Sequence, residues 1–420
     1  MLAPSLQQER AMNRHLPPSA TRLYFLDWVR ILAFFVLIVY HVGMYYVSWD
    51  WHVKSPFAGT GPEPFMKLSS PWRLSLLFFV AGVGASLMLR KLGSASFVRR
   101  RSLRLLAPLV FGMLVIVPPQ PYLEVVEKLG YADGYGAFMG LYLQAYDGFC
   151  REDCLILPTW NHLWFVAYLW IYTVLLGGLV AVLGSRFDRI AAHAGALLHG
   201  WKLIALPAAL LALARINLVE HFPTNHAVLG DWYNHAMSFS CFLLGALVAR
   251  VPGFWTRPAL LRWQALGIAA FGWAALVTWS AAYELLAPQA RETLRSLMYA
   301  LYAVLAWSAI MAACGFAARH LDRDGPARRY LNEAVFPVYI LHQTLIVVLA
   351  HRMQPLRIAP GLEAILLIVL TLSLSFGAFE LIRRVRLLRP LFGLAPRTAG
   401  TAPAAAPAPA QPAHARAAAG

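Results

Sequence analysis

The chain has 420 residues, of which 59% are hydrophobic and 13% charged, and its mean hydropathy is +0.57. A soluble domain carries about 25% charged residues, so a water-soluble globular fold is excluded. The formal charge of +16 does not indicate nucleic acid, because no basic run interleaves with exposed aromatic residues on a polar face.

Apolar stretches about long enough to cross a bilayer recur along the chain. Ten spans are predicted, at 28–47, 72–90, 103–121, 162–184, 203–219, 232–249, 263–282, 296–316, 333–350 and 364–382. The first is too long for the apolar part of a cleavable signal peptide. It is followed by Met44, Tyr45 and Tyr46 rather than by small residues. With the N-terminus in the cytoplasm, 26 of the 36 Lys and Arg fall on inward segments, and 13 of the 20 acidic residues fall outside. This positive-inside pattern predicts an all-α, polytopic integral membrane protein with about ten transmembrane helices and both termini cytoplasmic. Topology and anionic lipid then account for most of the excess charge. Residues 1–21 form an N-terminal tail, 22–393 the membrane domain, and 394–420 an Ala/Pro-rich tail expected to be disordered.

The first span carries the most informative pair. Arg30 and His41 are eleven residues apart, which at about 100° per residue returns the helix to within roughly 20° of its starting face. At about 1.5 Å per residue they are separated by roughly 16 Å along the axis. A cation thus sits at the inner surface and an imidazole deep in the outer half, where an ionisable group marks a functional candidate. His41 reads either as a general base toward a hydroxyl or as a packed histidine bonded to a neighbouring helix. Arg101 and Arg104 share a face where the third span begins. Their planar forks suit phosphate oxygens, and they serve equally as a topology anchor. Asp27, three residues before Arg30, is the candidate orienting partner. Together these residues outline a donor with a phosphorylated head on Arg30, Arg101 and Arg104 and a long thin arm reaching His41. An acyl-coenzyme A thioester has that shape. It enters as a substrate, and no permanently bound cofactor is expected.

In the long outward loop at about 122–161, Cys150 and Cys154 read either as a disulfide, if the compartment is oxidising, or as two free thiols. Cys241 and Cys314 read as packing residues. No Cys/His spacing matches a metal site, and His221, His226 and His235 are scattered over a loop and a helix start. His52, His162, Trp164 and His342 are the acceptor-side candidates. Trp51, Trp160 and Trp164 either line an entrance on the outer side or form an interfacial belt. Arg73, Arg215, Arg291 and Arg295 are outer-side cations able to meet a carboxylate on a transferred group, and the sequence distinguishes none of them. Glu380 pairs by spacing with Arg383 or Arg384.

At these residues the chain resembles acyltransferase family 3, the integral-membrane acyltransferases that modify extracytoplasmic glycans. Arg30 and His41 match its arginine, ten residues, histidine motif, and Arg101 and Arg104 its Arg-x-x-Arg. Leu77 to Gly82 resembles its Phe-Phe-x-Ser-Gly segment, with Ala81 in place of the serine, and Tyr339 to His342 its late Tyr-x-x-His. The segments around Tyr24–Arg30, Trp51–Ser55, His162–Phe165 and Phe242–Leu247 resemble more closely the subgroup that succinylates osmoregulated periplasmic glucans. The resemblance spans about 22–393. It implies a protein of the bacterial inner membrane that passes an acyl group, succinyl or acetyl, from cytoplasmic acyl-CoA to a periplasmic glucan or other glycan, with His41 catalytic. Lipid is then the surrounding partner and nucleic acid is not one. The sequence leaves open a glycan or small-anion transporter with His41 and the arginines lining its path, and a silent scaffold of a glucan synthase.

Overall fold

The computed structural model describes residues 22–151 and 154–396. The expectations for 1–21 and for all but the first residues of 394–420 fall outside them. The described chain is helical throughout, with no β-strand, as the apolar patterning requires. A helix forms at each of the ten expected positions. The chain runs from α1 (Tyr24–Tyr46) through a short α2 (Glu63–Ser69) to α3 (Arg73–Leu92) and α4 (Ser94–Phe111). After a π turn at Gly112–Ile116 come α5 (Pro119–Leu129) and α6 (Gly134–Leu143). Then follow α7 (Trp164–Leu183), α8 (Ser185–Leu197), α9 (Lys202–Leu218) and α10 (Trp232–Val248). The chain ends with α11 (Thr256–Ala282), α12 (Pro288–His320), α13 (Pro326–Met353), α14 (Pro360–Arg384) and a final turn, α15 (Leu388–Leu391).

Among the described residues, eight helical segments are long and apolar enough to cross a membrane, and nine if α8 and α9, bent by 113°, count as one. The shortfall from ten lies in α9 and α10. Each has 17 residues, or about 26 Å at the helical rise, against a hydrocarbon core of about 30 Å.

Helices in lipid gain little from apolar burial and associate instead where small residues let backbones approach. That is how α3 and α10 cross. A Cβ on Gly82 would lie 1.9 Å from the carbonyl oxygen of Phe242, and one on Gly245 would lie 2.0 Å from that of Phe79. Each helix thus presents its glycine to the backbone of the other. We expect Gly245→Ala to separate the pair and destabilise the protein by about 1–3 kcal/mol. A lower melting temperature in detergent checks this, and an unchanged one refutes the crossing.

Two features of the predicted outer side differ from the expected loop. The described residues of 122–161 are folded. α5 and α6 enclose a small apolar cluster of Val125, Phe138, Tyr142, Phe149 and Leu157. Cys150 and Cys154 form a disulfide, which settles the alternative left open by the sequence. The π turn shifts the frame between α4 and α5. Its carbonyls find side-chain donors: Tyr142 Oη donates to Met113 O at 2.8 Å, and Thr344 Oγ1 to Ile116 O at 2.7 Å. On the other wall, Lys54 Nζ donates to the carbonyls of Met44, Val47 and Trp49. A cation at the C-terminal end of α1 satisfies orphan carbonyls and opposes the negative end of the helix dipole.

Candidate functional site

α1 places His41 on the wall of a cavity of about 420 Å³, at the end that the charge bias assigns to the outside. The imidazole is held from behind by α13. His342 Nδ1 lies 2.5 Å from the carbonyl oxygen of Tyr339. A carbonyl only accepts, so Nδ1 carries the proton of this buried ring. His342 Nε2 is then an acceptor, and His41 Nδ1 donates to it at 2.8 Å. The two rings lie nearly parallel, with centroids 5.0 Å apart. This chain fixes the tautomer of His41 and leaves its Nε2 as a lone pair with no partner among the described residues. An oriented neutral imidazole open to a cavity is the arrangement a general base requires.

His342 itself is fully buried and does not line this cavity. Its expected place on the acceptor side is corrected: an i+3 bond back to Tyr339 O turns the ring inward, behind His41. His162 lines the cavity but is spent on structure. It stands on the turn before α7, donates from Nε2 to Ile340 O at 3.1 Å, and meets Gln120 Nε2 through Nδ1 at 3.3 Å. His52 lies on the wall as expected. Its Nδ1 donates to Glu124 at 2.5 Å and its Nε2 accepts from Gln343 at 3.1 Å. Trp51, Trp160 and Trp164 all line the cavity. Trp164 stacks on His226 with centroids 4.4 Å apart. A backbone fold around Asp231 holds His226 there: the Asp231 carboxylate accepts from His226 N at 3.1 Å and from Tyr168 Oη at 2.6 Å.

Several contributors were not legible in the sequence. Gln120, fully buried at the start of α5, ties α5 to the turn before α7 through His162 and Asn161 and to α13 through Thr344 and Gln343. A lone amide among Pro118, Pro119 and Pro121 was the available signal. Glu124 and Lys128 follow it on α5, with Lys128 bridging Glu124 and Asp50 at 2.8 Å each. Arg73, one of four undistinguished outer cations, is the one that lines the cavity.

At the opposite end of α1, Arg30, Arg101 and Arg104 lie within electrostatic reach of one another. Neither Arg101 nor Arg104 is in an ion pair among the described residues. Arg104 Nε donates to Gly393 O at 3.0 Å, so the turn after α15 abuts the cluster. Asp27 is 4.0 Å from Arg30, at the limit of an ion pair. It is bound more closely to Arg328 and Arg22, and Arg30 bonds instead to Asn332. Asp27 therefore anchors α1 to α13 first and orients Arg30 only second. Between the two ends, α1, α13 and α14 enclose a narrow apolar cavity of about 20 Å³ that runs from Ile31 past Phe34 and Ile38 to His342. Among the described residues no group of three or more His, Cys, Asp or Glu is placed to hold a metal ion. Glu380 pairs with Arg383 and Arg384 at 3.1 and 3.2 Å.

A family model described as an acyltransferase domain, that of acyltransferase family 3, matches residues 23–380. No curated protein and no solved structure matches the chain.

Proposed function

We propose, from the premise that the chain belongs to acyltransferase family 3 and is a membrane acyltransferase, that it moves a succinyl group from cytoplasmic succinyl-CoA to hydroxyls of a periplasmic glucan. The observation that carries this reading is the lone pair of His41 Nε2 in a tryptophan-lined cavity, about 16 Å along α1 from Arg30, beside which Arg101 and Arg104 are in no ion pair among the described residues. The phosphates of the donor dock on Arg30, Arg101 and Arg104. Its arm reaches from there toward His41, and binding far from the reacting carbon positions that carbon. His41 Nε2 takes the proton of a sugar hydroxyl as its oxygen attacks the thioester carbonyl. The new C–O bond forms, the C–S bond breaks, and the proton passes from His41 to the departing thiolate.

Mass spectrometry of periplasmic glucans tests the reading, using cells that lack the protein with and without the gene restored. A succinyl increment that returns with the gene is the expected result, and identical glucans in both would overturn it. We expect Arg101→Ala and Arg104→Ala each to raise KM for the donor by about 10-fold or more while kcat changes little, because each removes a charge-assisted hydrogen bond to phosphate. Steady-state kinetics with varied donor check this.

A further inference from the structure

We infer that Arg73 binds the free carboxylate of the transferred acyl group, and so selects a dicarboxylic acyl donor over a simple one. The inference rests on the acyltransferase reading above. Arg73 opens α3 and is 6% exposed, and its Nε and Nη1 are buried without a hydrogen-bond partner. It is in no ion pair among the described residues. The guanidinium sits over the ring of Tyr40, 3.2 Å from its centroid, and Tyr40 immediately precedes His41 on α1. Arg73, Tyr40 and His41 line the same cavity.

Burying a guanidinium without a partner is costly, and the face of Tyr40 offsets only part of that cost. The acidic groups nearby are already engaged. Asp50 reaches the cavity wall, but both its oxygens bind Lys128, and Glu124 binds His52 and Lys128. The cavity therefore presents an unmet positive charge beside the base. A planar guanidinium fits a carboxylate, and that of Arg73 makes no hydrogen bond within the described residues that would compete for it. The other outer-side arginines do not compete. Arg291 and Arg295 pair with Glu284, Glu220 and Glu292, and Arg215 packs on Tyr302, away from the cavity. An acyl group whose thioester carbon meets His41 while its far end meets Arg73 must end in an anion.

The test compares succinyl-CoA with acetyl-CoA as donor to a neutral glucan oligosaccharide, using purified wild type, Arg73→Gln and Arg73→Lys and reading products by mass spectrometry. Wild type is expected to prefer succinyl-CoA. In Arg73→Gln the ratio of succinyl to acetyl kcat/KM should fall by about 10²-fold, as for a lost charged hydrogen bond left unreplaced, and Arg73→Lys should recover part of it. Acetyl transfer by Arg73→Gln reports that the variant is folded. If that variant proves inactive with both donors, the ratio in Arg73→Lys decides, because a charge without the fork should still lower it. An unchanged ratio in the variants, or a wild type that prefers acetyl-CoA, overturns the role of Arg73 and leaves the acyltransferase reading intact. A wild type that transfers neither group to the glucan overturns the glucan succinyltransferase reading, and the role of Arg73 with it. The neutral acceptor ensures that a change in ratio reports the acyl group and not an anion on the glycan.

Discussion

His41→Ala is expected to lower kcat for acyl transfer by about 10²–10⁴-fold, the range that a positioned base supplies. A sugar hydroxyl is a poor nucleophile until its proton is taken. In the cavity, His162 and His52 each use both ring nitrogens within the protein. His226 is the other cavity histidine and stacks on Trp164, while His41 alone is held by a histidine of α13 with its Nε2 left unengaged. Removing the ring also leaves His342 Nε2 without its donor, a structural cost of about 1–3 kcal/mol unless water enters. His41→Gln separates the two effects, because its amide can donate to His342 but cannot accept and release a proton at the site. Both variants should show the same loss of kcat, with the donor KM near that of wild type. Normal turnover by His41→Gln would show that the base lies elsewhere.

The fold was legible because lipid forces the sequence to declare it: backbone groups must be satisfied within each span, so long apolar runs become helices. The spacing of Arg30 and His41 was legible for the same reason, since a helix converts an interval of eleven into a face and a distance. The partnership of His41 with His342 was not, because 301 positions separate them and no local rule relates α1 to α13. Arg73 was one of several arginines near an outer boundary, where a cation reads as an anchor. Only tertiary packing shows that its neighbours withhold a carboxylate. Gln120 and Glu124 were hidden by the π turn, which continues the helical path to Leu129, where the sequence pattern ends the third span near 121. The close approach of Gly82 and Gly245 at the α3–α10 crossing is visible only with both helices present.

His342→Leu is expected to cost about 10²-fold in kcat, at the lower end of the range for a base, with little change in either KM. His342 stands behind His41, outside the cavity that holds the base, so it is a positioning residue. Its Nε2 accepts from His41 Nδ1 and thereby holds the proton off Nε2, the nitrogen that must be bare to work. Leucine fills the volume but accepts nothing. His41 is then free to carry its proton on Nε2 and to rotate, and a base in the wrong tautomer is disabled even where its ring stays in place. His342→Gln supplies the control. Its side-chain oxygen can accept from His41 Nδ1, so it should recover most of the rate that leucine loses, about 10-fold or more. A merely structural role would rank the two variants by stability instead, and the apolar leucine would then be the better tolerated at this fully buried position. Equal rates for His342→Leu and wild type, or a glutamine variant no faster than leucine, would remove the relay from Tyr339 O through His342 to His41.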